Sequence, residues 1–136
     1  MEEGTPRRGG ARVPSAVVCD DDHMSRQVLC GLLRDAGFDV LGETDMALSA
    51  LDLVNVTRPD VLVLDVNLPG LSGVEIMRDL RERSPRTSVI VVSAYDMTHL
   101  TALDLRDAVM LPKTDLVRFD EVLTDVMSDR GPTSAS

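Results

Sequence analysis

Residue types that can handle a phosphoryl group or a metal ion stand at the ends of short apolar runs in this chain. Ala16-Val17-Val18-Cys19 runs into Asp20-Asp21-Asp22, Val61-Leu62-Val63-Leu64 into Asp65, Val89-Ile90-Val91-Val92 into Ser93, and Val109-Met110-Leu111-Pro112 into Lys113. In a parallel α/β sheet the strand C-termini lie along one edge, and ligands bind there. Carboxylates, a hydroxyl and an ammonium would then share one small space. Crowded carboxylates repel one another, so some take up protons or a cation holds them. A small, hard divalent ion suits oxygen ligands, and Mg²⁺ is the first choice. Mg²⁺ also binds phosphate oxygens, so the set points to phosphoryl chemistry. An Asp carboxylate can itself accept the group as an aspartyl-phosphate. Asp65, ending the central strand, is the candidate nucleophile. Lys113 and Ser93 are positioned to stabilise charge on the transferred oxygens.

Strands alternating with helices must position these residues. The first strand is about Ala16 to Asp20, and a helix follows from about Met24 to Ala36. Its apolar Val28, Leu29, Leu32, Leu33 and Ala36 fall at helical spacing, and Gly37 stands at the stop. A short strand, Asp39 to Gly42, precedes a helix from about Met46 to Val56. The strand Val61 to Asp65 is apolar on both faces, as a central parallel strand should be. Ser72-Gly73-Val74-Glu75 matches a capping box ahead of a helix that runs to about Arg83. The fourth strand is Ser88 to Val92. A weaker helical pattern covers about Thr98 to Asp107, Val109 to Leu111 is the fifth strand, and Asp115 to Met127 is the last helix. This alternation predicts an α/β fold: a doubly wound, five-stranded parallel sheet, flavodoxin-like in order 2-1-3-4-5, with helices on both faces. Its switch point lies between strands one and three, which end in Asp20, Asp21 and Asp65.

With 136 residues, 43% of them apolar, the chain suits one domain with a real core. Only three residues are aromatic, so that core must be largely aliphatic. The expected divisions are a disordered leader over 1–15, a folded domain over 16–127 and a disordered tail over 128–136. The formal net charge of −9 argues against nucleic acid or an anionic membrane as main partner. Cys19 and Cys30 lack metal-ligand or CxxC spacing and read as free thiols. No run is long and apolar enough to span a bilayer, and the leader has no secretory apolar region, so the expected location is cytoplasmic. His23 and His99 have no paired spacing and read as surface loop residues. Arg7, Arg8 and Arg12 read as part of a solvated leader.

This constellation closely resembles the receiver domain of two-component response regulators. The matching residues are Asp20-Asp21, Asp65, Asn67-Leu68-Pro69, Gly73, Ser93-Ala94 and Pro112-Lys113, spread over about Ala16 to Met127. Each piece is weak alone; together, in order and on the right elements, they are strong. The resemblance implies that Asp65 accepts a phosphoryl group from a sensor histidine kinase or phosphotransfer protein. It implies that Asp21, Asp65 and the backbone carbonyl of Asn67 ligate Mg²⁺, with Asp20 acting mostly through water. Lys113 would contact the phosphoryl oxygens, and Ser93 would swing towards them on activation. The output implied is a protein contact on the face of the fourth helix, fifth strand and fifth helix, with a homodimer left open and no direct DNA binding.

Three features depart from the family pattern. Met110 stands where many receivers carry an aromatic residue, the stretch from Ser93 to Lys113 looks about two residues short of the usual, and no output domain follows, which suggests a stand-alone receiver. Two other readings stay open. One is a degenerate receiver working without phosphorylation. The other is a Mg²⁺-dependent phosphohydrolase of the haloacid-dehalogenase type, which Asp20-x-Asp22 superficially fits. Taken singly, Asp20-Asp21-Asp22 reads as a helix-capping turn, Ser93 as a strand end and Lys113 as a surface lysine. Their order along one sheet edge favours the functional reading.

Overall fold

Alternation along each strand sorts the core into two layers. Ala16 and Val18 of β1 (Ser15–Cys19), Val61 and Val63 of β3 (Val61–Asp65), Ile90 and Val92 of β4 (Ser88–Ser93) and Leu111 of β5 (Ala108–Pro112) face one way. There they pack on Leu29 and Leu33 of α1 (His23–Asp35) and on Phe119, Val122, Leu123 and Val126 of α4 (Phe119–Ala135). The intervening Val17, Cys19, Leu62, Leu64, Val89 and Val91 face α2 (Ala47–Thr57) and α3 (Gly73–Arg83) through Ala50, Leu51, Val54, Met77 and Leu80. A strand buried on both faces is therefore apolar along its run, as β3 is from Val61 to Leu64, before it ends in the buried Asp65. The computed structural model describes residues 12–65, 73–93 and 108–135.

The sheet has five parallel strands in the order β2-β1-β3-β4-β5, with β2 at Asp39–Thr44. This is the flavodoxin-like α/β order expected, and its switch point lies between β1 and β3. Cys19 pairs with Leu64, Asp65 with Val92 and Ser93 with Pro112, so the four strands end level. β2 runs two residues beyond the expected Gly42, to Thr44. Its register with β1 shifts between Ala16 and Val17, leaving Leu41 as an extra residue.

Local chemistry ends the helices. Asp22 caps α1, its carboxylate accepting the Met24 amide at 3.2 Å. Gly37 closes the helix with φ of 91°, a conformation glycine enters without a Cβ penalty. Arg58 closes α2 in the left-handed region with φ of 48°; Pro59 behind it disfavours the helical alternative. At the other end of the chain, Asp115 does not begin an α-helix. A 3₁₀ segment, Lys113–Arg118, follows β5, and α4 starts at Phe119. It continues past Met127, where the apolar periodicity ends, to Ala135. The core is mainly aliphatic, but Phe38 and Phe119, two of the three aromatic residues, are both buried in the α1–α4 layer. The helix expected over 98–107, and with it His99, lies outside the described residues, as do residues 1–11. Among the described residues, no helix is long and apolar enough to cross a membrane.

The N-terminal segment departs from the sequence reading at Arg12 and Ser15. Ser15 is the first residue of β1, and Arg12 is bound to the fold. The Arg12 guanidinium grips both oxygens of Asp60, with Nη1 2.9 Å from Oδ2, and the Ser15 amide donates to the same carboxylate at 2.8 Å. Asp60 is only 1% exposed, so its charge requires these donors. The leader's basic residues looked equivalent in sequence because Asp60 is 48 positions from Arg12. Replacing Arg12 with Ala should lower the unfolding free energy by about 1–3 kcal/mol, the worth of a charge-assisted hydrogen bond at a buried acid. Urea denaturation with an unchanged slope would check it. A wild-type midpoint would return Arg12 to the solvated leader.

Candidate functional site

Three carboxylates meet where β1 and β3 end. Asp20 follows β1, Asp21 follows it into the loop, and Asp65 is the last residue of β3. Oxygens of all three lie within 4.8 Å of one another. Asp20 and Asp65 are buried and Asp21 is exposed. Lys113, the residue after β5, reaches across the sheet edge to both buried acids. Its Nζ is 2.8 Å from Asp20 Oδ2 and 3.4 Å from Asp65 Oδ2. Ser93 ends β4 between them, buried and in register with Pro112. The structure thus brings Asp20, Asp21, Asp65 and Lys113 together and puts Ser93 on the same edge. Asn67, Leu68 and Pro69 lie outside the described residues, while Gly73 opens α3 as expected.

Asp20 is held at every polar atom. Its amide donates to the Thr44 carbonyl at 3.0 Å. Oδ1 accepts the Asp22 amide at 2.9 Å, and Oδ2 accepts the Ser25 hydroxyl at 2.6 Å as well as Lys113. Its carbonyl accepts Arg26 Nη1 at 2.8 Å. Arg26 is fixed in turn by Glu43, 2.9 Å from its Nε. Burial pushes the Asp20 carboxyl up, but the bonds from Lys113, Ser25 and Asp22 outweigh it and leave the group below its usual range. Burial alone would lower the Lys113 ammonium; the two acids raise it instead. Cys19, under the site, is pushed up to about 12 by burial and by Asp20, Asp65 and Asp45, so its thiol stays protonated.

Ser25 and Arg26 are site residues that the sequence pattern did not single out. With Asp22 as N-cap, Ser25 is the third residue of α1, and helical side chains lean towards the N-terminus. That places its hydroxyl over the preceding strand end. Asp22 itself is exposed and stays with its capping role. His23 is the first residue of α1, not a loop residue, and its ring nitrogen lies 3.2 Å from Arg26 Nη2. Cys19 and Cys30 are free and buried, as expected.

The oxygen donor set suits a hard divalent cation. Three carboxylates carry more negative charge than Lys113 balances, and exposed Asp21 leaves the cluster open to solvent on one side. The acidic triad could therefore hold a metal ion.

Comparison with known proteins agrees with this geometry. Residues 16–126 match the family model of the response regulator receiver domain. A response regulatory protein of Vibrio cholerae serotype O1 is 36% identical over 93 residues, covering 66% of this chain and 38% of that one. The protein-glutamate methylesterase/protein-glutamine glutaminase of Halobacterium salinarum is 38% identical over 79 residues, covering 58% and 22%. The chain thus spans well under half the length of these curated relatives. Among solved structures, the signal receiver domain of the response regulator NarL from Mycobacterium tuberculosis is 28% identical with a TM-score of 0.70, covering 85% of this chain and 98% of that one. The response regulator domain of Thermotoga maritima CheB is 25% identical with a TM-score of 0.71, covering 86% and 96%.

The Asp20 environment sets a pH dependence. A carboxyl held below its unfolded value adds stability above the ordinary carboxylate range and loses it as pH falls through the folded value. In metal-free buffer, the difference in unfolding free energy between wild type and Asp20→Asn should be largest near neutral pH and shrink as pH falls below the ordinary carboxylate range. Urea titrations at stepped pH would measure it, and a difference that grew on acidification would reverse the assigned direction.

Proposed function

The chain belongs to the response regulator receiver domain family, and we propose that it takes a phosphoryl group onto Asp65 from a sensor histidine kinase or phosphotransfer protein, with Mg²⁺. One observation carries this reading: buried Asp65 ends the central strand with the Lys113 ammonium 3.4 Å from its Oδ2, beside two further carboxylates. Of the three acids, Asp20 has both oxygens engaged by Asp22, Ser25 and Lys113, and Asp21 stands at the solvent side. Asp65, which ends the central strand, is the nucleophile that the family resemblance implies. Its carboxylate oxygen bonds to phosphorus as the bond to the donor's leaving atom breaks, and the electron pair departs with that atom. Lys113 follows the charge onto the new phosphoryl oxygens, and the Ser93 hydroxyl donates to one of them.

Asp21 and Asp65, with the Asn67 carbonyl implied by the family resemblance, would hold Mg²⁺, and Asp20 would reach it through water. Bound there, the cation neutralises charge on the phosphoryl oxygens. A receiver domain is typically a phosphoacceptor rather than a turnover enzyme. The haloacid-dehalogenase alternative needs Asp22 in the acid pair, and Asp22 faces solvent as a helix cap. The output we propose is a protein contact in the cytoplasm, through the face that includes β5. Val109 and Met110 are each 39% exposed there, and Val117 beside it is 90% exposed.

Incubation with acetyl phosphate and Mg²⁺ should add one phosphoryl group to the wild type and none to Asp65→Asn, read by intact mass. An undiminished adduct on Asp65→Asn would remove Asp65 from the role. Calorimetric titration of Asp21→Ala should show Mg²⁺ affinity reduced by about tenfold or more. The metal-free variant should be at least as stable as wild type, because repulsion among the acids is relieved. Wild-type affinity would exclude Asp21 as a ligand.

A further inference from the structure

Lys113 serves two carboxylates with one ammonium, and something must decide how it is shared. Its Nζ sits closer to Asp20 Oδ2, at 2.8 Å, than to Asp65 Oδ2, at 3.4 Å. Asp20 is fully buried and cannot shift to adjust the balance, because its amide, carbonyl and Oδ1 are tied to Thr44, Arg26 and Asp22. The remaining contact is the Ser25 hydroxyl, which donates to the same Oδ2 at 2.6 Å. Two donors on one carboxylate oxygen divide its charge, so each bond is weaker than it would be alone.

We propose that Ser25 is a positioning residue of the acidic site: by occupying Asp20 Oδ2 at 2.6 Å it weakens that oxygen's hold on Lys113 and keeps the ammonium shared with Asp65. Without the hydroxyl, Asp20 Oδ2 has Lys113 as its one remaining donor. The ammonium then moves towards Asp20 and away from Asp65. Two consequences separate this role from a structural one. Asp65 becomes less neutralised, so a divalent cation binds more tightly. A phosphoryl group arriving on Asp65 meets less positive charge, so the adduct forms more slowly; this second consequence rests on the proposed function of Asp65.

The test uses the full chain and two separate readouts. In calorimetric titration with Mg²⁺ alone, Ser25→Ala should bind roughly two- to tenfold more tightly than wild type, the range a lost hydrogen bond supplies. Ser25→Thr, which keeps the hydroxyl, should restore the wild-type value. Ser25→Cys keeps the volume with a much weaker donor and should follow Ser25→Ala, which guards against a folding defect peculiar to one variant. In a Lys113→Met background the same substitution should change nothing, because no ammonium remains to be redistributed. Unaltered Mg²⁺ affinity in both Ser25→Ala and Ser25→Cys, or an equal change with Lys113→Met, would overturn the proposal. With acetyl phosphate, Ser25→Ala should take up the adduct more slowly by roughly two- to tenfold, and an unchanged or faster rate would count against it. The Mg²⁺ readout needs no phosphodonor, so failure of Asp65 as acceptor and failure of Ser25 as positioner are told apart.

Discussion

The ammonium of Lys113 between Asp20 and Asp65 is the contact on which the acidic edge depends. Two buried carboxylates and an exposed third within 4.8 Å would otherwise repel one another at a low-dielectric site. One cation, 15% exposed, offsets part of that charge and leaves the rest to attract a metal or a phosphoryl-bound ion. The arrangement is therefore stable enough to fold yet remains short of positive charge. That shortfall is why the acidic triad could hold a metal ion.

The parallel register makes the contact possible. Asp20 and Asp65 close adjacent strands, and Lys113 comes from a strand two places away from β3. Level strand ends bring the three within hydrogen-bond reach with no long loop between them. The layers behind the edge are rigid because alternate residues of every central strand are committed to one helix pair or the other. Site geometry is thus set by core packing, with Lys113 delivered by β5 at the margin of the sheet.

The opposite edge uses the same physics for a different end. Asp60 is as buried as Asp20, and it too is matched by a basic side chain and a backbone amide. There the guanidinium covers both oxygens, and the Ser15 amide adds a further donor. Such a carboxylate anchors the start of β1 to the start of β3. At the site, by contrast, two buried acids share one lysine beside a third, exposed acid.

Much of this was legible before any coordinates. Strand periodicity, the glycine at 37 and the acids behind apolar runs are local signals, and they determine element type, sheet class and the residues Asp20, Asp21, Asp65, Ser93 and Lys113, because side-chain alternation and strand polarity follow from covalent geometry. The start of α4 at Phe119, the grip of Arg12 on Asp60 and the Ser25 bond to Asp20 were not legible. Arg12 had two other leader arginines for company, and its partner lies 48 residues away. Ser25 looked like any polar residue in a helix's first turn. Only tertiary structure decides which of several equivalent side chains meets a buried charge, since that choice depends on distances between elements that no local pattern encodes.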